Sequence, residues 1–144
     1  MQNLFQAKII STEPGAVYQG NVYDQSVTLE LKNKQRVSFF NYSITIEKDL
    51  IGKDMRFTAT MLASKFLENN EKKKELIQTS KNTATLNGEI IEIKKDKQKT
   101  IAILDTGSAK FNFYPDSNQK LKKEDYIKVE NTRIDLFLKP STKQ

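Results

Sequence analysis

With 144 residues, the chain has room for one ordinary domain or two very small ones, and not for a catalytic domain with accessories. Cysteine and histidine are both absent, which excludes disulfides, thiolate zinc sites, cysteine nucleophiles, serine-histidine triads and histidine general bases, and predicts a chain with no metal or other cofactor. Lys plus Arg exceed Asp plus Glu by 24 to 18, a net charge of +6 that favours polyanionic partners, while 37% hydrophobic residues suffice for a folded core.

In chain order, MQNLFQAKII is too short an apolar run for a signal segment, and Gln2, Asn3, Gln6 and Lys8 interrupt it. No later stretch approaches a membrane span, so the expected setting is cytoplasmic, with no membrane partner. Thr12 to Gln25 reads as a long loop holding Pro14, Gly15, Tyr18, Gly20 and Tyr23, of the kind that closes over a ligand or covers a barrel end. Val27, Leu29 and Leu31 then alternate with Thr28, Glu30 and Lys32, the period of a strand with one buried face. A turn at Lys32-Asn33-Lys34 leads to Arg36 to Tyr42, where Phe39 and Phe40 are adjacent, so one of them must face outward. Met55, Phe57, Ala59 and Met61 give another strand, extending toward Phe66.

Residues 68–82 are polar and lysine-rich and read as a linker, an exposed helical turn or a solvated hairpin. Glu68 to Ile77 and Leu121 to Asp125 are the only helical candidates, and neither has a full apolar stripe. Beyond the linker come a strand over Thr83 to Lys94, a turn over Lys94 to Lys97, and a strand over Thr100 to Asp105. A turn over Asp105 to Ser108, a strand over Ala109 to Tyr114, a connector over Asp116 to Glu124 and two strands within Asp125 to Leu138 complete the chain. The short turns predict mostly antiparallel neighbours.

The two halves share this order of elements. Ala7-Lys8-Ile9-Ile10 matches Gly88-Glu89-Ile90-Ile91, Phe40-Asn41-Tyr42 matches Phe111-Asn112-Phe113, and Leu50 to Asp54 matches Leu121 to Asp125. The ending LKKEDYIKVENTRIDLFL, a lysine-rich connector before a long bent strand, resembles the last part of OB-fold nucleic-acid-binding domains, most clearly over residues 83–138. Glu124 and Asn131 stand where that family places glycines at the turn and the bend. The resemblance implies an all-β fold of two small antiparallel OB-like Greek-key barrels in tandem, over 1–67 and 83–139, with a basic tail at 140–144. The alternative is a single larger β-barrel or β-sandwich.

Basic residues interleave with aromatics on the third strand of each unit, as single-stranded nucleic acid requires: bases stack on rings for about 1 to 3 kcal/mol each while cations neutralise phosphates. The candidate binding residues are Tyr18, Tyr23, Lys32, Lys34, Arg36, Phe40, Tyr42, Lys94, Lys95, Lys110, Asn112 and Tyr114, with Phe111 and Phe113 buried between the last three. The expected function is non-catalytic binding of single-stranded nucleic acid, DNA favoured over RNA. The alternative is a protein-interaction or structural subunit with a protein partner or a homo-oligomer. TIAILDTGSAKFNFYP also resembles the Asp-Thr-Gly signature of aspartic proteases, which implies Asp105 as one carboxylate of a homodimeric site. The apolar-apolar-Gly brace of that family is missing after Gly107, and Asp-Thr-Gly is ordinary turn chemistry.

Overall fold

A computed structural model of the chain describes residues 5–42, 44–63, 65–97, 99–116 and 119–138. The strands are β1 (Phe5–Pro14), β2 (Val17–Tyr18), β3 (Asn21–Val22), β4 (Gln25–Glu30), β5 (Arg36–Asn41), β6 (Asp54–Met61), β7 (Leu67–Glu68), β8 (Glu75–Ser80), β9 (Thr83–Asp96), β10 (Lys99–Asp105), β11 (Lys110–Phe113) and β12 (Tyr126–Leu138). Among the described residues the helical structure is one 3-10 turn at Lys48–Leu50. The chain is all-β, as its period-two alternation predicts.

The alternating apolar residues fall on one face. Val27 and Leu29, Val37 and Phe39, Phe57, Ala59 and Met61, Phe111 and Phe113, and Ile134 and Leu136 are all buried. Each of these side chains larger than alanine contributes about 1.5 to 3 kcal/mol when fully buried, so the inward parity of every strand is strongly fixed. The intervening residues point outward and make the barrel exterior.

Pairing around the barrel runs β12-β5-β4-β1-β6-β11-β10-β9 and returns to β12. β6 and β12 also pair with each other, Ile134 beside Met61 through Leu138 beside Phe57. That shared pair divides the cylinder into two five-stranded rings: β1, β4, β5, β12 and β6, then β9, β10, β11, β6 and β12. Five is the strand number of an OB barrel. Each half of the chain therefore closes its ring with a strand from the other half. A closed ring of five strands cannot be antiparallel throughout, which accounts for one parallel contact in each, β5 with β12 and β11 with β6, in a sheet whose other pairs are antiparallel. The all-β barrel class holds, and the closed barrel is mixed at these two contacts.

The core follows the pairing. Phe39 from the first ring meets Phe111 from the second edge-on at 5.9 Å, and Phe5 lies 6.2 Å from the same ring. One buried cluster takes side chains from both halves. Of the arrangements the sequence allows, the single larger barrel best describes this continuity, while the repeated element order survives inside it.

Several local expectations need correction. Residues 75–80, within the segment assigned as linker, form β8, which pairs with β9 from Glu75 beside Asn87 to Ser80 beside Thr83, so of the three readings of that segment the hairpin holds here. Only Leu76 of β8 is buried, so the segment has no alternation to betray it. β9 continues through Lys94 and Lys95 to Asp96, moving the tight turn later than expected. β6 stops at Met61 rather than running on to Phe66, and Tyr126–Leu138 is one strand with a shifted register between Val129 and Thr132. Thr12 to Gln25 is less a loop than an arm: β1 and β4 pair as far as Pro14 beside Gln25, and β2 and β3 form a hairpin beyond them.

Buried polar groups lock the first ring. Gln25 Nε2 donates to Asn41 Oδ1 at 3.0 Å and to the Ile46 carbonyl at 2.7 Å, while Asn41 Nδ2 donates to the Leu136 carbonyl at 2.9 Å. Satisfied in this way, the two amides avoid the roughly 1 to 3 kcal/mol that each unpaired buried group costs. Asn41 ties β5 to β12 where their backbone pairing is shortest.

Candidate functional site

Outward parity places the third strands of both halves on one surface. Asn112 of β11 lies beside Thr60 of β6, Thr60 beside Asp135 of β12, and Asp135 beside Phe40 of β5. The row crosses the barrel exterior from one half to the other. β11 and β5 stand three strand steps apart on it, about 14 Å at the usual spacing of neighbouring strands.

The rings at its two ends are accessible. Tyr42 is 64% exposed and Tyr114 44% exposed, while Phe40 is half-buried and Phe39 wholly buried. The adjacent phenylalanines thus divide between core and exterior, as alternation demands. Phe111 and Phe113 are buried, with Lys110 and Asn112 half-buried on the outer side. The Tyr42 ring centre lies 6.4 Å from that of Phe40, and Lys99 Nζ lies 6.0 Å from the centre of Tyr114.

Arg133 brings a cation onto this surface. Its guanidinium carbon sits 4.5 Å from the centre of the Phe40 ring. Nε donates to Asp135 Oδ1 at 2.8 Å and Nη2 donates to Oδ2 at 3.1 Å, a two-point grip between outward neighbours on one strand. Phe137, 39% exposed, follows on the same face, beside Thr58.

Sequence reasoning missed Arg133 and Phe137. The alternation of β12 does put Arg133, Asp135 and Phe137 on the outer face. Its juxtaposition with Phe40 depends on a pairing between residues 95 positions apart in the chain (135 minus 40), and no local pattern contains that.

The remaining candidates lie elsewhere. Tyr18 and Tyr23 are exposed at the β2–β3 hairpin together with Val17 and Val22. Asp24 holds the base of this hairpin, its Oδ1 accepting the Ala16 N–H at 2.7 Å. Lys32 and Lys34 occupy the β4–β5 turn and border a shallow recess with Lys8, Glu30 and Asp54. Arg36 is exposed at the start of β5, beside Glu30. Lys94 pairs with Glu92 at 3.1 Å, and Lys95 is exposed on β9 beside Thr100. The structure gathers Phe40, Tyr42, Lys110, Asn112 and Tyr114 and does not bring the two tyrosines of the hairpin or the turn lysines to them.

Asp105, at the turn between β10 and β11, is held by an ion pair and a turn hydrogen bond. Its Oδ2 accepts from Lys74 Nζ at 3.1 Å and its Oδ1 accepts the Gly107 N–H at 2.9 Å. Lys74 also reaches Glu89 at 3.3 Å, bridging two acids that face each other across β9 and β10. The hydrogen bond to Asp105 is the main reason the Lys74 pKa rises above its usual value. Among the described residues, no three His, Cys, Asp or Glu side chains are placed to hold a metal ion, and no helix is long and apolar enough to cross a membrane.

No protein-family model and no curated protein matches the chain. Among solved structures it is similar to a crystal form of the cytoplasmic molybdate-binding protein ModG with molybdate bound. The identity is 12% and the TM-score 0.45, over 95% of this chain and 96% of that one. A likeness that distant says nothing about what this chain binds.

Proposed function

We infer that the chain is a non-catalytic binding protein for single-stranded nucleic acid, with DNA favoured over RNA, and that it works in the cytoplasm, where a chain without cysteine has no disulfide to lose. The observation that carries this reading is the exterior row joining Asn112 of β11 to Phe40 of β5, flanked by the exposed rings of Tyr114 and Tyr42. Bases freed from a duplex can stack on such rings, and Arg133, Lys110 and Lys99 supply cations on the same side. A duplex hides its base faces and gains only the general attraction of a +6 protein. The chemistry needed is stacking and charge neutralisation, with no group transfer.

The test is fluorescence anisotropy with labelled dT and U oligonucleotides of a dozen nucleotides, in low salt and then with salt added, against a duplex of equal length. Single strands bind, binding weakens steeply with salt, and Tyr42→Ala and Tyr114→Ala each weaken it about fivefold or more. Absence of binding to either single strand at low salt sinks the reading.

A second reading has its own observation: Val17, Tyr18, Val22 and Tyr23 expose apolar surface on a hairpin that stands off the core. This arm suits a protein partner or another copy of the chain. Sedimentation of the protein and of a Tyr18→Ser/Tyr23→Ser variant separates the cases, because self-association through the arm disappears in the variant.

A further inference from the structure

The grip of Asp135 on Arg133 places a guanidinium where a base would stack. Phe40 stands at the β5 end of the exterior row, yet Arg133 covers its ring at 4.5 Å and is fixed there by both Asp135 oxygens. Asp135 is the better buried partner, with its side chain 14% exposed against 44% for Arg133, so the carboxylate is the anchor and the guanidinium the part that can swing. The charge of Arg133 is also spent on Asp135 rather than offered to a phosphate.

We propose that Arg133 is an exchangeable cover on the Phe40 platform, held shut by Asp135, and that a single strand binds by taking its place. This rests on the nucleic-acid reading and names a control built into the same surface. A base takes the face of Phe40, next to the Tyr42 ring 6.4 Å away, and the guanidinium turns to a phosphate of the same strand. The exchange is symmetrical in chemistry: stacking on Phe40 is replaced by stacking, and a two-point contact with carboxylate by one with phosphate. The guanidinium is paired at the start and at the end, whereas the Asp135 carboxylate gives up its partner, and that loss holds the cover shut until a strand supplies both replacement contacts. Selectivity follows from the same geometry. A ligand offering phosphate without a base removes the Asp135 contact without refilling the ring, and a base without phosphate strands the guanidinium, so only a strand carrying both makes the whole exchange.

The experiment has two arms. In the first, the side-chain protons of Arg133 are followed by NMR in the unmodified protein. They carry the ring-current shift of Phe40 when free and lose it when the protein is saturated with dT12. A shift that persists in the saturated complex overturns the proposal. In the second arm, dT12 affinity is measured against salt for Asp135→Asn, Arg133→Ala and the double variant. Releasing the cover makes Asp135→Asn bind about three- to tenfold more tightly, while Arg133→Ala, which loses the guanidinium–phosphate contact of the complex, lowers the logarithmic salt slope by about 0.7. The gain of Asp135→Asn vanishes in the Arg133→Ala background if Asp135 acts through Arg133. If it persists there, Asp135 acts by its own charge and the proposal is wrong. Failure of the unmodified protein to bind dT12 at all is a separate result, one that removes the nucleic-acid reading itself.

Discussion

At the scale of single residues, the two positions where the family resemblance calls for glycine show what their replacements do. Glu124 has a φ of 77° and Asn131 a φ of 48°, so both adopt the left-handed backbone that glycine would have made easy. Glu124 accepts the strain where its N–H donates to the Ile90 carbonyl at 2.7 Å, fixing the entry to β12 against β9. Asn131 sits in the register shift of β12, its N–H donating to Thr85 Oγ1 at 3.2 Å. A left-handed conformation costs a side chain such as Glu about 1 to 2 kcal/mol, and Asn, which visits it routinely, much less. Glycine has its own entropic cost of about 0.5 to 1 kcal/mol. Glu124→Gly should therefore stabilise the protein by up to about 1 kcal/mol, and Asn131→Gly should leave it nearly unchanged. Urea titration of the two variants checks the contrast, and a destabilised Glu124→Gly would mean that the side chain does work not visible in its backbone. The sequence showed where these bends lie; it could not show that the backbone takes the glycine conformation without glycine.

At the scale of elements, the long strands were legible because their burial is one-sided, and β8 was not because its stability comes from its neighbours. β8 attaches to the first ring through two glutamine amides: Gln35 Nε2, in the β4–β5 turn, donates to the Leu76 carbonyl at 2.7 Å, and Gln78 reaches β5. Gln78 Oε1 accepts the Ser38 N–H at 2.7 Å while Nε2 donates to the Ser38 carbonyl at 3.1 Å, so a side chain stands in for one rung of a backbone ladder between β8 and β5. Nε2 donates as well to the carbonyls of Ser80 and Thr83, at 2.6 and 3.0 Å. Gln78→Glu keeps the acceptor, loses every donation and sets a charge among carbonyls. It should cost about 2 to 3 kcal/mol, read as a lower urea midpoint with an unchanged slope. The other end of the segment is held by Lys74 between Asp105 and Glu89. Because its pKa is raised in the folded state, the contribution of Lys74 is fully present below its unfolded value of 10.5 and fades as pH rises through the higher folded value. Lys74→Met should thus lower the melting temperature at pH 8, and the gap from the unmodified protein should narrow above about pH 10.5. A gap of constant size across that range would show that Lys74 acts through packing. In the candidate site the same division holds: parity along β5, β11 and β12 said which side chains face outward, but the order in which these strands meet is a property of the closed barrel.

At the scale of the whole molecule, exchange of β6 and β12 makes the halves interdependent in a way that a tandem pair of barrels is not. Neither ring closes without both strands, and Phe39, Phe111 and Phe5 join the two cores. Unfolding one ring would open the other by removing a wall and exposing its phenylalanines, so an intermediate with one ring intact lacks the contacts to sustain it. The candidate surface shares this dependence. Its middle is the β6–β12 pair, and the rings of Tyr42 and Tyr114 keep their spacing only while both halves are folded. Phe39→Ala, which removes a fully buried ring from β5, should cost about 3 to 5 kcal/mol. In an interlocked barrel that loss is felt everywhere at once. Hydrogen exchange should then show the slowest amides of β10 and β11, on the far side of the molecule, losing as much protection as those of β4 and β5, under conditions where exchange reports global opening. Loss confined to β4 and β5, with β10 and β11 as protected as before, would mean that the second ring stands alone and that strand exchange joins the halves without coupling them.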